Sequence, residues 1–156
     1  MPGSSGKARR SGCPVSIALE IVGDRWSLLI IRDLMVRGLR TFGDFQKSGE
    51  KIATNILADR LQKLERAGIV SAEQEATDAR RINYTLTEKG IDLAPVLLEL
   101  LLWGAKHERT SAPRDMAAVL TGGKEAFLAE VRTRWQKGDR TPLLPAFRKP
   151  NTGENE

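Results

Sequence analysis

Between residues 52 and 68 the apolar positions Leu57, Leu61 and Leu64 recur at i, i+4 and i+7, the spacing of one helix face. Gly68 follows as a C′ residue tolerant of the left-handed conformation, and Ile69 supplies the apolar contact behind it. The hydrophobic period then drops to two. Extended runs are predicted at residues 69–75 and 81–86, and in the second Ile82, Tyr84 and Leu86 alternate with Arg81, Asn83 and Thr85. Residues 76–80 between them make a polar turn with basic residues at its far end. A helix followed at once by a hairpin with a basic tip is the pattern of a winged helix.

The same reading places further helices on either side. Pro14 suits the first turn of a helix running to Val22, which Gly23 closes. Asp24 is a cap for the next helix, Arg25–Val36, which is apolar at Trp26, Leu29, Ile30 and Leu34 and ends at Gly38. Thr41 and Asp44 have the spacing of a capping box, opening a short helix to about Lys47. A turn through Ser48, Gly49 and Glu50 joins it to the helix over 52–68, completing a helix-turn-helix. A long helix is expected from Thr87 to about Glu108, with Pro95 either kinking it or marking a late start. The expected fold is therefore mainly α with a small β-hairpin wing. It divides into a flexible basic arm (1–12), a winged helix-turn-helix with a dimerisation helix (13–110), a C-terminal helical extension (111–138) and a tail (139–156).

Composition changes this picture only in part. The chain of 156 residues carries a net charge of +5, which fits a polyanionic partner. Residues 1–60 hold ten Lys/Arg against six Asp/Glu, so the excess lies before and within the reading helix. No apolar run is long enough to span a membrane, and no apolar segment near the start resembles a secretory signal. A reducing cytoplasm is the expected compartment. Cys13 and His107, one of each type, are too few for a metal site, and no cofactor is expected. An enzyme is not expected either: there is no Ser/His/Asp constellation, paired-carboxylate motif or phosphate-cradling glycine loop.

Several motifs together resemble the HxlR-type regulators, bacterial transcription regulators related to the MarR group. They are Cys13-Pro14, the segment from Ile21 to Trp26, that from Leu28 to Leu34, and Arg40-Thr-Phe42. The match continues through Ile52, Leu57, Arg60-Leu61, Leu64-Glu65, Ala67 to Val70, Tyr84 to Gly90 and Trp103-Gly104. The resemblance spans residues 13–108. It implies a dimeric winged helix-turn-helix that binds palindromic operator DNA, usually as a repressor. In some members it implies sensing of oxidants or electrophiles through a cysteine at the position of Cys13.

Geometry alone gives a set of reading residues. With Leu57, Leu61 and Leu64 turned to the core, Asn55, Asp59, Gln62 and Arg66 point outward and Ala58 and Lys63 lie at the margins. The N-terminal part of a recognition helix enters the major groove, so Thr54, Asn55, Ala58 and Asp59 are candidates for base edges. Asn55 can pair bidentately with adenine, and Asp59 can accept from cytosine. Lys51 and Arg60 are placed for phosphates, with Arg40 as a further backbone contact. Arg80 and Arg81 at the wing fit a narrow minor groove or phosphates. The plainer alternatives are a solvated helix face and a charged sheet edge that blocks aggregation.

From Ala94 to Trp103 the long helix is apolar nearly all round, whereas a helix wet on one side shows a stripe of about 100°. Val96, Leu97, Leu100, Leu101 and Trp103 are the candidate dimer contacts. Alternatively, the stripe of Phe127, Val131 and Trp135 in the extension covers that second face. Cys13 stands at a helix start, where amide donors and the nearby Arg9 and Arg10 favour a thiolate; the other reading is a small buried residue. His107 is expected at the surface or an interface. Beside the DNA-binding regulator stands a second function, a winged-helix module for protein–protein contact without specific DNA binding.

Overall fold

A computed structural model of the chain describes residues 8–147. The order is α1 (Pro14–Val22), α2 (Arg25–Val36), α3 (Phe42–Gln46), α4 (Thr54–Arg66), β1 (Val70–Gln74), β2 (Ile82–Leu86), α5 (Glu88–Ile91), α6 (Ala94–His107), α7 (Arg114–Gly122) and α8 (Lys124–Lys137). Most of the arm expected at 1–12 lies outside the described residues; Arg9 and Arg10 are exposed.

The helix boundaries follow from local chemistry. The Asp24 carboxylate accepts from the Ser27 amide and hydroxyl, which satisfies a donor at the opening of α2. In α3 the reciprocal box is complete: the Asp44 amide donates to the Thr41 hydroxyl and the Asp44 carboxylate accepts from the Thr41 amide. At the end of α4 the Gly68 amide reaches the Glu65 carbonyl and the Ile69 amide the Leu64 carbonyl, a Schellman closure with Gly68 at φ 73°. This closure turns the chain straight into β1.

β1 and β2 pair antiparallel in the register Val70↔Leu86 to Gln74↔Ile82. The base of this hairpin is buried at Val70 and Leu86, but Ile82, expected on the inner face, is 38% exposed. The ribbon runs beyond the helices there, so its alternation no longer has a core to face. Ser71 and Thr85 share a hydroxyl hydrogen bond of 2.8 Å across the ribbon, and the Tyr84 amide donates to the Arg40 carbonyl.

The expected long helix over 87–108 is two helices. Thr87 caps the single turn of α5 by accepting from the Gly90 amide. Pro95 lies in the first turn of α6. A proline further inside a helix would clash with the carbonyl four residues back, whereas at an opening turn its missing N–H costs nothing. The chain therefore restarts at Ala94.

One core joins α2, α3, α4, both strands and α5, centred on Ile31, Phe45, Leu57, Leu61 and Leu64, each 2% exposed or less. Val131 of α8 enters the same core, with Phe127 and Trp135 packed beside it. A second cluster, Leu98, Leu102 and Leu120, holds α6 against α7. The extension thus covers one face of α6. Of the expected tail, residues 139–147 return along α2 as a strap, and 148–156 lie outside the described residues. The Leu143 and Leu144 amides both donate to the Val36 carbonyl, and the Trp135 Nε1–H donates to the Leu86 carbonyl at 2.8 Å.

Candidate nucleic-acid interface

The reading helix α4 presents Asn55, Ala58, Asp59, Gln62, Lys63 and Arg66 to solvent, while Leu57, Leu61 and Leu64 anchor its other side. Its 13 residues make a rod of about 20 Å, held against α2 and α3 so that the polar face stays open. The helix begins at Ala53 without a side-chain cap, leaving its first amides unmatched by side chains. Such an end favours a phosphate oxygen. Thr54 accepts a hydrogen bond from Gln46 Nε2 at 3.2 Å, which ties the end of α3 to the start of α4. Gln46 was not among the sequence candidates. Only the angle between α3 and α4, a tertiary quantity, brings it there.

Two of the expected phosphate contacts have internal partners. Arg60 is committed within the fold: its Nε donates to the Asp24 carboxylate at 3.0 Å and its Nη1 pairs with Asp59. This ties α4 to the cap of α2. Burial opposes ionisation of Asp24, yet the Ser27 hydroxyl and amide and the Arg60 guanidinium outweigh it and hold that carboxyl below the usual range. Arg40 is half-buried, and its Nη2 donates to the Gly138 carbonyl at 3.0 Å, facing the end of α8.

The remaining cations sort by partner. Lys63 and Arg60 both pair with Asp59 through Oδ2, keeping that carboxylate charged and leaving Oδ1 to accept from a base. Arg66 lies at 3.4 Å from Gln62 Oε1. Lys51 is exposed at φ 55° in the turn before α4. At the wing, Arg81 pairs with Glu75 at 3.2 Å, whereas the Arg80 side chain is 96% exposed and only 3.6 Å from Asp78. Asn55 has no hydrogen bond or ion pair among the described residues, and Arg80 keeps only the loose pair with Asp78.

On α6, Val96, Leu100 and Trp103 are 46%, 48% and 61% exposed and line one face at i, i+4, i+7. Leu97 and Leu101 are half-buried on the side toward α2. The extension therefore covers Leu98 and Leu102 and leaves a second apolar stripe bare. On α1, Val15 and Leu19 form another exposed apolar pair. His107 closes α6, its ring centroid 5.3 Å from that of Trp103. Cys13 is exposed at the N-cap of α1, not buried. The amides of Ser16 and Val15 at that helix opening hold its thiol below the ordinary value.

A helix-turn-helix with a β wing and a free polar reading face now has counterparts among known proteins. The HxlR-like helix-turn-helix family matches residues 21–112. The chain belongs to this family. It is a transcription regulator of the HxlR and MarR-like type. The HTH-type transcriptional regulator YdeP of Bacillus subtilis is 35% identical over 97 residues, 62% of this chain and 75% of that protein. Among solved structures, the candidate transcription factor PA1607 is 40% identical at TM-score 0.60, covering 67% of this chain and 70% of that one. The redox regulator HypR in its oxidized form is 30% identical at TM-score 0.56, covering 62% of this chain and 99% of that one. These proteins are transcription regulators, and the HxlR-like region ends before α7. The second half of the fold's C-terminal packing, α7, α8 and the strap, lies beyond it. No helix among the described residues is long and apolar enough to cross a membrane.

Proposed function

We propose that this HxlR-like protein is a sequence-specific regulator, acting as a repressor, that binds a palindromic operator as a homodimer. The reading rests on one observation above the others: α4 carries an unobstructed polar face whose N-terminal turn is uncapped and whose Asn55 has no internal partner among the described residues. The exposed stripe of Val96, Leu100 and Trp103 supports the dimer, because an apolar stripe of that length is stabilised by a second subunit. Two-fold symmetry would place the two reading helices in successive major grooves, about one helical turn apart.

Salt dependence and substitution test the division of labour. Arg80→Ala should weaken binding to all duplexes alike and reduce the salt slope by roughly one for a lost phosphate contact. Asn55→Ala should relax preference at a single base pair, costing about 1–3 kcal/mol there. If both variants lose affinity uniformly across an operator library, Asn55 does not read a base. Binding that does not weaken with salt would favour the protein–protein module instead.

Redox control is the second part of the proposal. Cys13 is exposed at a helix start with a lowered thiol, and the similar protein HypR is a redox regulator. With a single cysteine per chain, disulfide formation must join two subunits or trap an external thiol. Diamide is expected to release operator DNA from the wild type but not from Cys13→Ser. Equal affinity before and after treatment, with mass spectrometry showing the modified thiol, would remove Cys13 from the mechanism.

A further inference from the structure

A cavity of about 580 Å³ lies where β2, the end of α2 and the C-terminal segment meet, away from the exposed stripe of α6. Its volume falls within the range of small-molecule sites. The apolar part of the wall is built by Leu34, Met35, Ile91 and the Trp135 ring. Four cations line the remainder: Arg40, Arg134, Lys137 and Arg140, against the one acid Asp139.

The charges around this cavity are incompletely matched. Arg134 is neutralised by Glu130 at 2.8 Å and also donates to the Thr141 carbonyl. Asp139 is occupied by the Thr141 amide at 2.8 Å and lies in the field of Arg134 and Lys137. Arg40 gives a single N–H to the Gly138 carbonyl, and Arg140 has no hydrogen bond or ion pair among the described residues. Burial, and after it the nearby Arg140, pull the Arg40 guanidinium below its ordinary value.

The unmatched pair is held in place by the backbone. Gly38 adopts φ 70°, and a Cβ there would stand 2.0 Å from the Arg140 carbonyl oxygen. Only glycine allows the strap to lie this close, and the Leu143 and Leu144 amides pin it to Val36. The cations thus come from three separate segments fixed against one another: the loop between α2 and α3, the end of α8 and the strap. A site of converging, under-compensated cations over an apolar floor suits a ligand with one anionic group and an apolar body.

We infer that this cavity binds a small amphipathic anion, a carboxylate or phosphate ester with an aromatic or aliphatic body, between Arg40 and Arg140 with Trp135 against the apolar part. The wall includes Tyr84 and Thr85 of β2, so occupancy connects the C-terminal extension to the wing. Binding itself does not depend on the DNA reading and is measured without DNA.

The test is calorimetric titration of the full chain with 2-naphthoate and decanoate, beside neutral 2-naphthamide and inorganic phosphate. One site per chain is expected for at least one of the two acids. The amide and inorganic phosphate should bind at least tenfold more weakly, and Arg140→Ala should weaken the acid at least tenfold. Arg140→Ala should leave the melting temperature of the unliganded protein unchanged or higher, since it removes a repulsion. Arg25→Ala, at a different cavity, should bind the acid as the wild type does. Absence of heat with both acids to millimolar concentration, or equal affinity in Arg140→Ala, would overturn the site. So would phosphate binding as tightly as the acids. A uniform loss of DNA affinity in Arg140→Ala, with no acid bound, would assign the cations to the DNA backbone instead.

Discussion

Replacing Leu100 and Trp103 together by glutamate is expected to yield a folded monomer that binds a two-half-site duplex roughly 10²–10⁴-fold more weakly than the wild type. Both side chains are about half exposed or more, so the subunit's own core loses little. Two charges placed on the stripe would be desolvated by any partner helix, which opposes association strongly. Each reading head would still meet a half-site, but the second contact would no longer be intramolecular. Sedimentation gives the mass and an operator titration gives the affinity. A variant that stays dimeric would place the subunit interface elsewhere, with the exposed Val15 and Leu19 of α1 as the next surface to alter.

The second large effect concerns stability. Asp33 is 2% exposed in the middle of α2, yet its carboxylate accepts from Arg32 Nε and Nη2 and from Arg37 Nη1, at 2.9–3.1 Å. The Arg37 side chain is itself only 10% exposed. Asp33→Ala leaves that guanidinium desolvated without a counter-charge, and removal of one partner from a buried pair costs about 3–5 kcal/mol. A small domain tolerates few losses of that size. Urea unfolding of Asp33→Ala should show the loss as a lower midpoint. The double variant Asp33→Ala with Arg37→Met should recover part of it, since the stranded charge is gone. A loss under 1 kcal/mol in the single variant would mean that water reaches Arg37.

What the sequence made legible is local. The capping box of Thr41 and Asp44, the cap at Asp24 and the closure at Gly68 each depend on residues within five positions of one another, and each forms as the pattern implies. The apolar period of Leu57, Leu61 and Leu64 gave the orientation of α4 for the same reason. What stayed hidden is tertiary. Arg60 looks like a surface cation until α2 brings Asp24, 36 residues away, within 3.0 Å. Arg40 is likewise turned by Gly138, 98 residues along the chain. Pro95 showed that the segment after Thr87 is special but not whether it bends or breaks, because that depends on the core which Ile91 and Ala94 enter. The strap over 139–147 carries Leu143 and Leu144, which pack on the core, but where it docks depends on the bare backbone of Gly38, distant in sequence.

The most direct test of the central claim is selection of duplexes from a random pool by the wild-type protein, sequenced after several rounds and repeated with Asn55→Ala. An inverted repeat with half-sites centred about one helical turn apart, or a multiple of it, is the expected product. The variant should lose preference at one position in each half and keep the spacing. A pool without an enriched motif, or a single unrepeated motif bound by a monomer, would contradict a dimeric regulator that reads DNA through α4.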